Sequence, residues 1–117
     1  MFKEINGLTI DFKNKLIWGP VQGLMTWNQA KDLEKDSWRL PVKDELKQAF
    51  FDKVPGFTED RFWSSSSFID NADHAWYVDF DNGYVVEGLK TYRLAARYIR
   101  PFDSLILKEL NFTMEIL

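Results

Sequence analysis

Short aromatic signatures recur along this chain, and they constrain its fold more than any other feature. They are Leu16-Ile17-Trp18, Trp38-Arg39-Leu40-Pro41, Trp63-Ser64-Ser65, Ala75-Trp76-Tyr77-Val78-Asp79-Phe80 followed by Asn82-Gly83, and Arg97-Tyr98-Ile99-Arg100. Four of the five tryptophans fall inside them, and the fifth, Trp27, opens an expected helix. Each large ring removes much area from water. Rings placed beside strand residues therefore predict one compact core, with Trp18, Trp38, Trp63 and Trp76 buried around a single centre. Such a pattern points to recognition rather than catalysis.

A chain of 117 residues that is 45% hydrophobic and 16% aromatic has enough apolar material for one domain spanning 1–117. It contains no cysteine, which excludes disulfides, Cys-ligated zinc and thiol chemistry. That absence points to a reducing compartment. The net charge of −3 offers no general attraction for nucleic acid or an anionic membrane. The first residues, Met1 to Asn6, are not followed by the apolar stretch of a secretory signal. No apolar run approaches the roughly 20 residues of a membrane helix. The expected setting is cytoplasmic, with export by another route left open.

Local patterns place the elements. Thr9 to Phe12 and Leu16 to Trp18 read as two short strands about a turn at Lys13-Asn14, the second broken by Gly19-Pro20. Thr26 and Gln29 have the spacing of a capping box. A first helix is therefore predicted over about 27–36, burying Trp27, Ala30 and Leu33. Trp38 to Pro41 is an extended connector. A second helix is predicted over 43–52, with Val42, Leu46, Ala49 and Phe50 on one face and a stop at Val54-Pro55-Gly56. Beyond it the pattern alternates. Trp76, Val78 and Phe80 share one strand face, and Asn82-Gly83 signals a two-residue hairpin. The return strand covers 84–87 and is closed by Gly88, a further strand covers 92–100, and Leu110 to Ile116 alternates as one more. The layout is α+β.

Taken in order, these signatures resemble the DUF1566 domain, the C-terminal domain of the Legionella collagen-like protein, over about residues 8–100. The resemblance rests on Asp11, Leu16-Ile17-Trp18, Trp27 with Ala30, Trp38-Arg39-Leu40-Pro41, Glu45-Leu46, Trp63-Ser64-Ser65, the strand and turn of 75–83, and Arg97-Tyr98-Ile99-Arg100. It implies a C-type-lectin-like fold, with two helices, a twisted antiparallel sheet and long irregular loops. Three departures stand out. Tyr98 occupies the place of the family's closing cysteine, whose partner falls near Glu34, so the family disulfide is absent. Val42 replaces the usual Thr cap, and 101–117 extend past the family's usual end.

Few constellations carry chemistry. Ser64 to Ser67 lacks a nucleophile elbow, and His74 is the only imidazole, so hydroxyls that satisfy a strand end are the preferred reading. Asp70, Asn71, Asp73 and His74 offer ligand atoms within five residues. They lack the carboxylate order of a calcium loop, and the sugar-binding Glu-Pro-Asn, Gln-Pro-Asp and Trp-Asn-Asp tripeptides are missing. A solvated polar loop is preferred to a metal site. Arg93, Arg97 and Arg100 with Tyr92 and Tyr98 form a basic and aromatic group. It reads as structural ion pairs before a binding cluster.

The expectation that follows is a non-enzymatic recognition module without cofactor or metal. Its ligand, a protein or a glycan, is met by the loops 56–61 and 66–74. Phe57, Arg61, Phe68, Asp70, Asn71, Asp73 and His74 are the candidate contacts, with Phe57 and Phe68 as anchors. The alternative is a small intracellular interaction or inhibitor protein, phage- or mobile-element-associated. The apolar face of Leu110, Phe112, Met114 and Ile116 either completes the monomer's sheet against Phe2, Ile5 and Leu8 or pairs with a second copy as a homodimer.

Overall fold

The computed structural model describes residues 1–102. In chain order its elements are β1 (Phe2–Ile5), β2 (Leu8–Asp11), β3 (Leu16–Met25), α1 (Trp27–Asp32), α2 (Lys43–Asp52), β4 (Arg61–Ser67), β5 (His74–Asp79), β6 (Val85–Leu89) and β7 (Leu94–Pro101). The strands form one open seven-stranded sheet in the order β1-β2-β3-β7-β4-β5-β6. Every neighbouring pair is antiparallel except β4 and β7, which run parallel through Phe62 and Ala95. The α+β layout expected from the sequence is the observed one.

Alternation along β4 and β7 gives the sheet two buried faces. On one, Trp18, Phe62, Val78, Ala95 and Ile99 pack under Leu46 and Ala49 of α2. On the other, Trp63, Ala75, Leu94, Ala96 and Tyr98 pack under Ala30 of α1 and under Leu40. This corrects the single centre. Trp18 and Trp63 are fully buried but on opposite faces, while Trp38 and Trp76 are only half-buried.

Four boundaries also differ from expectation. Gly19-Pro20 does not end β3. The register against β7 shifts between Trp18 and Val21, and pairing resumes to Met25, so a bulge absorbs the proline. The first helix ends at Asp32, four residues early, and leaves Leu33 half-exposed. There the Glu34 carboxylate accepts the Leu40 amide at 2.8 Å, and Asp36 and Ser37 take positive φ. The β5–β6 turn is wider than two residues. Gly83 donates back to the Asp79 carbonyl at 2.6 Å, and Val78 faces Val85. Gly88 lies inside β6, opposite Ala75, where a Cβ would come within 2.9 Å of the Tyr77 ring.

The second helix forms over the expected residues, and the Thr26 capping box is present in both directions. Val42 caps α2 without an acceptor of its own. Glu45 reaches back to its amide at 2.8 Å, and the Ser66 hydroxyl takes the Lys43 amide at 3.2 Å. The strand expected over Leu110 to Ile116, with its proposed pairing or dimer contact, lies outside the described residues.

Candidate recognition surface

The sequence-proposed contact residues fall into two groups at opposite ends of β4. Arg61 opens that strand and Ser67 closes it, a separation of six residues or about 20 Å at ~3.3 Å per residue. Phe57 and Arg61 sit at one end; Phe68, Asp70, Asn71, Asp73 and His74 gather at the other.

At the first end, Phe57 points inward. Its ring stacks on Phe80 at 4.0 Å and meets Phe62 at 4.8 Å and Trp18 at 5.2 Å, edge to face. It holds the loop to the core and does not stand out as an anchor. Arg61 is exposed beside Glu59 and Asp60, and the three share a shallow cleft with Leu24 and Arg93.

At the second end, residues 68–73 form a braced turn between the last residues of β4 and the start of β5 at His74. Phe68 donates its amide to the His74 carbonyl at 3.1 Å, and His74 donates to the Asn71 carbonyl at 3.0 Å. The Asn71 side-chain oxygen accepts the Asp73 amide at 3.0 Å. The His74 Nδ1 pairs with Glu87 on β6. Phe68 rests edge to face on Trp76 at 5.3 Å, and Lys43 lies over the Trp76 ring at 5.2 Å. These contacts turn Phe68 into a support. The residue left outside is Ile69, which is 97% exposed between that ring and the exposed Asp70 and Asn71. Sequence reasoning passed over Ile69, although a β-branched residue preceding Asp-Asn in a turn was the available signal.

Neither enzymatic nor metal-binding geometry assembles in this region. The Ser64 hydroxyl donates to the Trp76 carbonyl at 2.7 Å and accepts the Ser66 amide, while His74 is engaged by Glu87. Among the described residues, no three His, Asp or Glu side chains converge as a metal ion requires.

The arginines correct the ion-pair expectation. Arg97 is buried and, among the described residues, bonds no carboxylate. It donates to the Gly19 carbonyl at 2.7 Å, the Pro55 carbonyl at 2.8 Å and the Thr9 hydroxyl at 3.1 Å, and its guanidinium covers Phe57 at 4.6 Å. Burial lowers its pKa to about 10, against a raising influence from Glu4. Arg100 lies over Trp38, and Arg93 donates to the Leu24 carbonyl. The carboxylate fork belongs instead to Arg39, which holds Glu45 through both oxygens at 2.8 and 2.9 Å.

Where the resemblance places a cystine, Tyr98 donates its hydroxyl to the Ala30 carbonyl at 2.6 Å. Burial and the nearby Glu34 push the phenol up to about 12, so it stays a neutral donor at ordinary pH. Glu34 itself bridges Lys31 and the Leu40 amide.

Fold and surface together define an α+β domain whose loops are braced by its core and carry no assembled reaction centre among the described residues. Residues 7–100 match the Lcl C-terminal domain, formerly DUF1566, and the chain belongs to that family. It is a family without known catalytic activity. No curated protein matches the chain.

Proposed function

We propose that this chain is a non-enzymatic recognition module that meets a protein or glycan ligand through the loop of residues 66–74. The observation that carries the reading is the contrast within that loop. Its backbone is closed by its own hydrogen bonds and its base by Phe68, Trp76 and the His74–Glu87 pair, while Ile69, Asp70, Asn71 and Asp73 stand in solvent. A pre-ordered loop loses little conformational freedom on binding, so its few exposed groups are effective contacts.

The test is ligand capture with loop variants, using a glycan array and photo-crosslinking from position 69 in host extract. Ile69→Ser with Asp70→Ser is expected to abolish capture, and Arg61→Ser, at the far end of β4, to leave it intact. Capture that ignores the loop variants overturns the reading. The reading also needs no metal. Chelation by EDTA is expected to leave both capture and the melting temperature unchanged, since a bound ion would stabilise the folded state by mass action.

A second reading, an intracellular interaction or inhibitor protein in the cytoplasm, is favoured by Tyr98. The bond from its hydroxyl to Ala30 joins β7 to α1 without oxidation, as a reducing compartment requires. Fractionation of the native host separates the two settings.

A further inference from the structure

At the base of the same loop lies a cleft of about 430 Å³ lined by Asn28, Ala72, Asp73, Leu89, Lys90 and Thr91. Three separate segments build it: the start of α1, the end of the 66–74 loop, and the turn from β6 to β7. Backbone bonds fix them to one another. Lys90 donates its amide to the Asp73 carbonyl at 2.8 Å, and Trp27 donates to the Lys90 carbonyl at 3.0 Å. The walls are therefore set before any ligand arrives.

The lining includes one residue of each charge, and among the described residues the two form no ion pair with each other. The Lys90 ammonium sits over the Trp27 ring at 4.3 Å, and that ring is held by its own N–H on the Ser64 carbonyl at 2.9 Å. Among the described residues, the Asp73 carboxylate has neither a hydrogen-bond nor an ion-pair partner, since only its backbone groups are bonded. The Asn28 amide and the Thr91 hydroxyl are likewise without side-chain partners there. Leu89, 39% exposed, adds an apolar surface.

We infer that this cleft binds a small zwitterion of the α-amino acid class. The ligand's ammonium would meet Asp73 and its carboxylate would meet Lys90 and the Thr91 hydroxyl. Its side chain would lie on Leu89 and Ala72, with Asn28 able to donate or accept. A saccharide would use the amide and the hydroxyl but would leave both charges without a complement. Two charges of opposite sign that do not pair with each other select the zwitterion. The inference goes beyond the loop reading, because the ligand sits beneath the loop and does not touch Ile69.

The experiment is titration of the folded chain with the free amino acids, followed by amide and side-chain NMR shifts. Dissociation constants on the order of 1 mM suit a ligand this small in an open cleft. Shifts are expected at Asn28, Ala72, Asp73 and residues 89–91, for free amino acids of one side-chain class. The N-acetylated and the amidated forms of the same amino acid each lose one charge and are expected to bind roughly tenfold more weakly or worse. Asp73→Asn and Lys90→Met, which keep the bracing backbone bonds, are expected to weaken binding equally, and Asp73→Asn, whose carboxylate has no partner among the described residues, to leave the melting temperature unmoved. The inference is overturned if capped and free forms bind alike, if no shift occurs at these residues, or if neutral methyl glycosides shift them instead. That last result would leave the loop reading standing, whereas loss of capture in the loop variants bears on the loop alone.

Discussion

A buried guanidinium that bonds no carboxylate must have its donors met by other means, and among the described residues Arg97 shows how. Its three bonds go to acceptors on β3, on the segment after α2 and on β2, so one side chain ties parts of the chain up to 88 residues apart. The Phe57 and Trp18 rings supply the remaining compensation through their faces. Arg97→Met would leave the buried Gly19 carbonyl and Thr9 hydroxyl and the part-buried Pro55 carbonyl without this donor, and is expected to cost about 3 kcal/mol in urea unfolding. Arg97→Lys should recover little of this, because one ammonium cannot span a fork of fixed, planar donors. Wild-type stability for the lysine variant would show that charge, and not geometry, is what the site needs. Because burial holds the folded pKa near 10, the cost of burying the charge is fully present at neutral pH and is relieved only as pH rises through that value.

At the scale of elements, α2 shows how tertiary structure supplies what its own sequence lacks. Val42 has the extended φ and ψ of an N-cap but no acceptor, and Ser66 from the end of β4 covers the Lys43 amide. Val42 is also 42% exposed, so its side chain adds little to the core. Val42→Thr is therefore expected to stabilise the fold by roughly 0.5–1 kcal/mol. That raises the melting temperature by about 2–8 °C in a domain of this size. A fall in melting temperature would mean that the Glu45 and Ser66 contacts already saturate the helix end. This helix and the Thr26 box were legible because their signals are local. The passage of β3 through Gly19-Pro20 was not, because a strand survives a proline only where a partner, here β7, resumes the ladder beyond a bulge. Gly88 was misread for a related reason. Its lack of a side chain makes room for Tyr77 and Tyr92 across the sheet face, which no neighbour in sequence announces. The candidate loops were placed correctly only in their middles, since Arg61, Ser66 and Ser67 belong to β4 and His74 to β5, and their separation follows from the seven extended residues of β4.

For the whole molecule, the decisive property is that the sheet has two buried faces, so each helix covers its own core and long-range side-chain ties must hold the layers in register. Asp52, at the end of α2, is such a tie. It accepts from Lys13 and Asn14 in the β2–β3 turn at 2.9 Å each, and from Gln48 one turn earlier at 3.1 Å. Asn14 also donates to the buried Asp11, so the helix, the turn and the sheet meet in one polar network. Hydrogen bonds from Asn14, then Lys13 and Gln48, hold the Asp52 carboxyl down to about 2, against a usual value of 3.8. The sign follows from linkage. A carboxyl more acidic in the folded state adds stability above its unfolded pKa and loses it as pH falls through the folded one. Wild-type and Asp52→Asn melting temperatures are therefore expected to differ most above pH 4, to approach each other between pH 4 and pH 2, and to coincide below it. Added salt should narrow the gap, because Lys13 is largely exposed. Melting curves that stay parallel across that range would show that the tie acts through shape alone, and that the protonation of Asp52 has no part in holding α2 to the sheet.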